Sequence, residues 1–140
     1  MRKMLLFAAM AVCLVLASAC HFRDNSQVPV ITVSGGLRPT ISFTPDAAYE
    51  LRVYEGSEDG DGFGVLWSAR GPGGFENNLR SPVIYGIPPA GYDGQEAAPL
   101  EPGKTYTITV FRKDPQGSGD GFQNTRHRYD GLLTFVATAE

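Results

Sequence analysis

A chain of 140 residues with 12 Lys and Arg against 15 Asp and Glu carries a net charge of −3, a size that fits one domain and leaves no room for two cores of ordinary extent. The mild acidity argues against a nucleic-acid partner, because phosphate binding needs a clustered positive field. A domain this large buries roughly two-thirds of its unfolded surface, enough for stability without disulfides, and only Cys13 and Cys20 are present.

The chain opens on the basic Met1-Arg2-Lys3, continues through an almost wholly apolar run over residues 4–16, and reaches Ala17-Ser18-Ala19 and then Cys20. Residues 1–19 therefore have the form of a secretory signal peptide. The apolar run is shorter than the about 20 residues a membrane-spanning helix needs, so it reads as an address that is removed. Ala17-Ser18-Ala19 satisfies the small-x-small rule of a general signal peptidase, which would release a soluble product. Leu16-Ala17-Ser18-Ala19-Cys20 also resembles the lipobox of bacterial lipoproteins, with Ala17 where that family usually places Leu. The resemblance implies a diacylglyceryl thioether on Cys20, cleavage just before it, and attachment to a membrane through the lipid. Thiol counting agrees with it. Once residues 1–19 are gone, Cys20 is the sole cysteine of an exported chain, and acylation caps a thiol that would otherwise be a liability in an oxidising compartment. Two acyl chains suffice for stable anchoring. His21 follows the cysteine, where Asp is the inner-membrane retention signal of enteric lipoproteins, so the same resemblance favours the outer membrane. Loss of Arg2 and Lys3 leaves the remainder more acidic by two charges.

Residues 20–27 are polar and aperiodic and read as a lipidated cysteine and a short tether. From residue 28 to 140 the chain alternates short Val, Ile, Thr, Tyr and Phe-rich runs with Gly, Pro, Asp and Asn, the spacing of an all-β sandwich. Period-two alternation predicts seven strands. The first two cover residues 28–33 and 40–44, the latter with Ile41 and Phe43 on one side. The third, residues 49–55, sets Tyr49, Leu51 and Val53 against Glu50, Arg52 and Tyr54, a strand with one wet face. Residues 65–70 align Val65, Trp67 and Ala69, and residues 81–86 form a short apolar strand. Residues 104–112 turn Tyr106, Ile108 and Val110 inward and Thr105, Thr107 and Thr109 outward. Residues 132–138 close the series with Leu133, Phe135 and Ala137.

The run Leu100-Glu101-Pro102-Gly103-Lys104-Thr105-Tyr106-Thr107-Ile108-Thr109-Val110 resembles the E–F corner of fibronectin type III domains, an immunoglobulin-like family. Residues 40–45 followed by 49–54 are similar to that family's second and third strands, with Phe43 where the family usually has Trp. The resemblance covers residues 28–138 and implies a seven-stranded antiparallel β-sandwich. Pro102-Gly103 supplies a tight turn, Leu100 plugs the core beneath it, and Tyr106 returns its hydroxyl to upstream backbone as a tyrosine corner. The connection over residues 86–99 is longer than the family pattern.

Candidate sites are few. Tyr106 is expected to brace the fold, and Trp67 to pack in the core in preference to stacking on a sugar. Glu58, Asp59 and Asp61 invite a calcium reading, but only Asp59 and Asp61 alternate and no Glu closes the loop, so turn chemistry is the expectation. The hairpin over residues 114–131 exceeds the usual connection length and holds Arg126, His127 and Arg128, the best sequence-level pointer to a binding surface. A solvated loop is the alternative. No nucleophile elbow, phosphate-cradling glycine loop or His pair for zinc occurs, and no cofactor is expected. The sequence thus favours a non-enzymatic, lipid-anchored envelope module making protein or glycan contacts. A structural spacer within an envelope assembly is the alternative, and a hydrolase with its chemistry in the 114–131 hairpin ranks below both.

Overall fold

The computed structural model of the chain describes residues 25–57, 64–92, 94–115 and 128–139. After a single 3₁₀ turn at Asn25–Gln27, the order is β1 (Val30–Ser34), β2 (Thr40–Thr44), β3 (Ala47–Ala48), β4 (Glu50–Glu55), β5 (Val65–Arg70), β6 (Leu79–Arg80), β7 (Val83–Ile84), β8 (Thr105–Lys113) and β9 (Arg128–Val136). The sheet orders are β1-β2-β7, β5-β4-β8-β9 and the small pair β3-β6. Every pairing is antiparallel. The fold is all-β and consistent with a sandwich, since the two larger sheets supply one core. Ile31, Ile41, Phe43 and Val83 come from the first sheet, and Leu51, Val53, Trp67, Ala69, Ile108 and Val110 from the second.

Each of the seven expected segments overlaps a strand, because burial on one face reinforces a period of two wherever several residues run together. The differences are instructive. β3 and β6, two residues each, are too short to show any period. β7 is only Val83–Ile84, although Tyr85 N–H continues the contact by donating to the Pro39 carbonyl at 3.0 Å. β9 begins at Arg128 instead of residue 132, because Arg128, Tyr129, Asp130 and Gly131 pair with Lys113, Arg112, Phe111 and Val110. Arg128 and Gly131 therefore belong to a strand and not to the hairpin loop.

Tyr49 also departs from its expected side. It is buried, but it lies outside the main core cluster and stacks at 6.1 Å on Phe111 and edge-on at 5.6 Å against Phe75. The short β3 precedes it, and the bend at this junction breaks the alternation that Leu51 and Val53 keep. Thr107 faces away from the core yet is buried, its Oγ1 donating to the Gly56 carbonyl at 2.7 Å and lying 3.1 Å from Thr134 Oγ1.

At the entrance to β8, Lys104 N–H donates to the Glu101 carbonyl at 3.4 Å and Gly103 has φ of 80°. This is a type II turn with Pro102 and Gly103 at its two central positions, the second requiring a left-handed backbone. Leu100 sits in the core, and Glu101 N–H donates to the Tyr106 hydroxyl at 3.0 Å. Tyr106→Phe should lower stability by about 1 kcal/mol, the net worth of one such bond with its donor left behind. Urea unfolding checks this, and an unshifted midpoint would deny the corner its bracing role.

Candidate binding groove

The long connection between β7 and β8 is strapped to the body at several points. Ile87 N–H donates to Ile84, Tyr92 N–H to Pro89, Ala97 N–H to Gly86 and Leu100 N–H to Leu37, at 2.8 to 3.2 Å. The Tyr92 hydroxyl donates to the Asn78 carbonyl at 2.8 Å, and Trp67 Nε1 donates to the Gln95 carbonyl at the same distance. These bonds hold residues 94–101 alongside β5 and leave a groove of about 620 Å³ between them. Its floor includes Trp67, Tyr85, Leu100 and Tyr106, all buried.

Trp67 is only 4% exposed and meets Tyr85 edge-on at 5.4 Å. It packs in the core, as the alternating strand implies, and its N–H is satisfied by the groove wall. Burial raises the pKa of Tyr85, with Tyr106 adding in the same direction and Arg38 opposing. The rim is acidic: Glu55, Glu96 and Glu101 line it. Lys104 Nζ reaches Glu55 at 2.9 Å and Glu101 at 3.1 Å, and these two bonds hold its ammonium above the ordinary lysine range, Glu55 first. One ammonium against three carboxylates leaves the rim net negative.

A second cluster covers the outer face of the four-stranded sheet. Glu50, 4% exposed, accepts from Arg52 at 2.8 and 3.1 Å and pairs with Arg70 at 3.1 Å. Arg52 and Arg128 each stand 5.0 Å from the Phe111 centroid, and Arg70 stands 5.8 Å from Phe75. Arg128 also grips Asp130 through two bonds of 2.7 Å. Its guanidinium pKa is raised, chiefly by that carboxylate. With its cations and carboxylates paired to one another, this cluster ties strands together.

Of the residues singled out by sequence, Arg128 alone of the basic triplet falls within the described structure, in β9, away from the groove lining. Arg126 and His127, the candidate calcium ligands Asp59 and Asp61, and the lipidation candidate Cys20 lie outside the described residues. Among the described residues, no group of three or more His, Cys, Asp or Glu is placed to hold a metal, and no helix is long and apolar enough to cross a membrane. The groove itself was not foreseen as a site. Its signal in the sequence was the excess length of residues 86–99. No protein-family model, curated protein or solved structure matches the chain.

Proposed function

We propose that this chain is a non-catalytic lipoprotein of the cell envelope, anchored to the outer membrane through Cys20, whose fibronectin type III-like domain contacts an envelope protein or glycan through the groove beside Trp67. The observation that carries the contact role is the groove, walled by a connection that a bare sandwich does not need. Its polar rim and apolar floor suit recognition, and its lining holds no metal-binding cluster among the described residues. The fibronectin type III-like reading draws support from the three-strand and four-strand sheet orders, in which β2 neighbours β7 and β4 neighbours β8, and from the Tyr106 corner. The anchor rests on residues 1–20, as the lipobox resemblance implies.

Two measurements test the reading. Intact mass of the membrane-extracted chain should exceed that of residues 20–140 by a diacylglyceryl and acyl increment, and Cys20→Ala should lose both the increment and the membrane attachment; a mature mass without acyl groups would end the anchored reading. A photo-crosslinker at position 96, on the groove rim, should give a discrete adduct in intact envelopes, whereas one at position 80 should not. Equal labelling from both positions would remove the groove as the contact surface.

A further inference from the structure

The two sides of the sandwich are finished differently. On one side the connection between β7 and β8 is tied down beside β5, with Trp67 Nε1 donating to the Gln95 carbonyl at 2.8 Å and Ala97 N–H to the Gly86 carbonyl at 3.1 Å. On the other side stand β1 and β9, edge strands of the two larger sheets, which touch without sharing a hydrogen-bonded ladder. Ala137 N–H donates to the Lys104 carbonyl at 3.0 Å, and the Ala137 carbonyl accepts from Gly103 N–H at 2.8 Å. Odd-numbered residues of β9 therefore bond β8, while Leu132, Thr134 and Val136 turn their main-chain groups outward. Edge strands are ordinarily blunted by charge, proline or a bulge. Neither Val30-Ile31-Thr32-Val33-Ser34 nor Leu132-Leu133-Thr134-Phe135-Val136 has a charge or a proline, and both registers run unbroken. Val30, Leu132 and Val136 are 67%, 43% and 54% exposed, and Val33, Leu133 and Phe135 are only partly buried.

Resting on the lipid anchor proposed above, we infer that this uncharged flank lies on the surface of the bilayer that holds Cys20. The chain enters the domain beside it: Gln27 Oε1 accepts from Arg112 Nε at 3.3 Å, the Pro29 main chain crosses close over Gly131 of β9, and β1 follows. The five residue steps from Cys20 to Asn25 span at most about 18 Å when fully extended, so the anchor keeps the flank within reach of lipid at high effective concentration. The aliphatic side chains of Val30, Leu132 and Val136 reach the boundary between headgroups and acyl chains. The hydroxyls of Thr32 and Thr134 and the outward N–H groups stay at headgroup level, where phosphate and ester oxygens accept their hydrogen bonds. Deeper insertion would leave those N–H groups unsatisfied. β5 lies at the opposite edge of the four-stranded sheet from β9, three strand spacings or about 14 Å away. The groove and its acidic rim of Glu55, Glu96 and Glu101 therefore face away from the lipid, which also keeps carboxylates off an anionic surface.

The test uses the acylated full chain on vesicles of phosphatidylcholine and phosphatidylglycerol, with single cysteines from Val30→Cys, Val136→Cys or Glu96→Cys carrying a polarity-sensitive fluorophore. The acylated Cys20 sulfur takes no label. Quenching by a lipid with a nitroxide at the top of its acyl chain should be several-fold stronger at positions 30 and 136 than at 96. Leu132→Asp should lower the quenching at position 30 several-fold. On the domain without flank substitutions, amide exchange at Leu132, Thr134 and Val136 should be slower for the acylated chain on vesicles than for Cys20→Ala in buffer, a comparison that holds even should the labelled variants misfold. Equal quenching at 136 and 96, or unchanged exchange, in a chain whose mass carries the acyl increment overturns the docking and leaves the anchor standing. A mass without that increment removes both. Shielding of position 136 that the lipid nitroxide does not quench, and that grows with the protein-to-lipid ratio, overturns the docking in favour of a second copy pairing through β9.

Discussion

Gly131→Ala is expected to destabilise the domain by about 3 kcal/mol and to lower its thermal midpoint by roughly 10–15 °C, an overpacking cost at the upper end of the usual range. Gly131 lies in β9 opposite Val110, where the start of β1 crosses over it. A Cβ added there would sit 2.1 Å from the Pro29 carbonyl oxygen, 2.7 Å from Pro29 Cβ and 2.9 Å from its carbonyl carbon. None of these atoms can rotate out of the way. Pro29 is buried and immediately precedes Val30, whose pairing with Thr44 opens the ladder of β1 on β2, so relief requires shifting a strand. Leu132→Ala, one residue on and 43% exposed, is the control and should cost less than about 1 kcal/mol. Thermal unfolding of both variants decides the matter. A Gly131→Ala protein as stable as its parent would mean that β9 and Pro29 do not approach this closely.

This contact illustrates which parts of the molecule the sequence makes legible. Alternation exposes β2, β4 and β8, because Ile41 and Phe43, Leu51 and Val53, and Ile108 and Val110 all answer to one buried face. Gly131, by contrast, looks like a turn residue until Pro29 is seen above it, a contact between opposite ends of the domain. The pairing of Ala47 with Arg80 and Ala48 with Leu79 is equally silent, since two residues carry no period. Arg112 completes that neighbourhood by donating to the Ala47 carbonyl, and burial lowers its guanidinium pKa.

The groove was half visible. Residues 86–99 announced an excess of chain, but where the excess lies is decided by Trp67 reaching Gln95 and by Leu100 reaching Leu37, bonds between distant positions that no local pattern encodes. The pointer drawn from the 114–131 hairpin was of the same kind, a length in excess of need, and its residues 116–127 lie outside the described structure. Excess length therefore identifies where function can be placed, while the hydrogen-bonding side chains that anchor the loop determine which surface it builds.

Glu50→Ala is the second substitution expected to act strongly, at about 2–3 kcal/mol, although the residue lies outside the groove lining. Its carboxylate is 5% exposed and pairs with both Arg52 and Arg70. Removing one member of a buried charge group leaves the others uncompensated, which is why such deletions exceed the net worth of the pair. The full penalty of a buried pair is not reached, because the Arg52 and Arg70 side chains are 31% and 38% exposed and recover some hydration. Packing adds to the loss: Arg52 rests over Phe111, which stacks with Tyr49, which meets Phe75 beneath Arg70. Glu50→Gln keeps the shape and some of the hydrogen bonds and should cost less than Glu50→Ala. Asp46→Ala breaks a pair of 3.9 Å between side chains that are 63% and 79% exposed, and should change stability by no more than about 0.5 kcal/mol. The decisive measurement is a double-mutant cycle of Glu50→Ala with Arg52→Ala in urea unfolding. Coupling should reach about 1 kcal/mol or more if the carboxylate holds the guanidinium over the ring; additive losses would show that the two side chains stabilise the sheet independently.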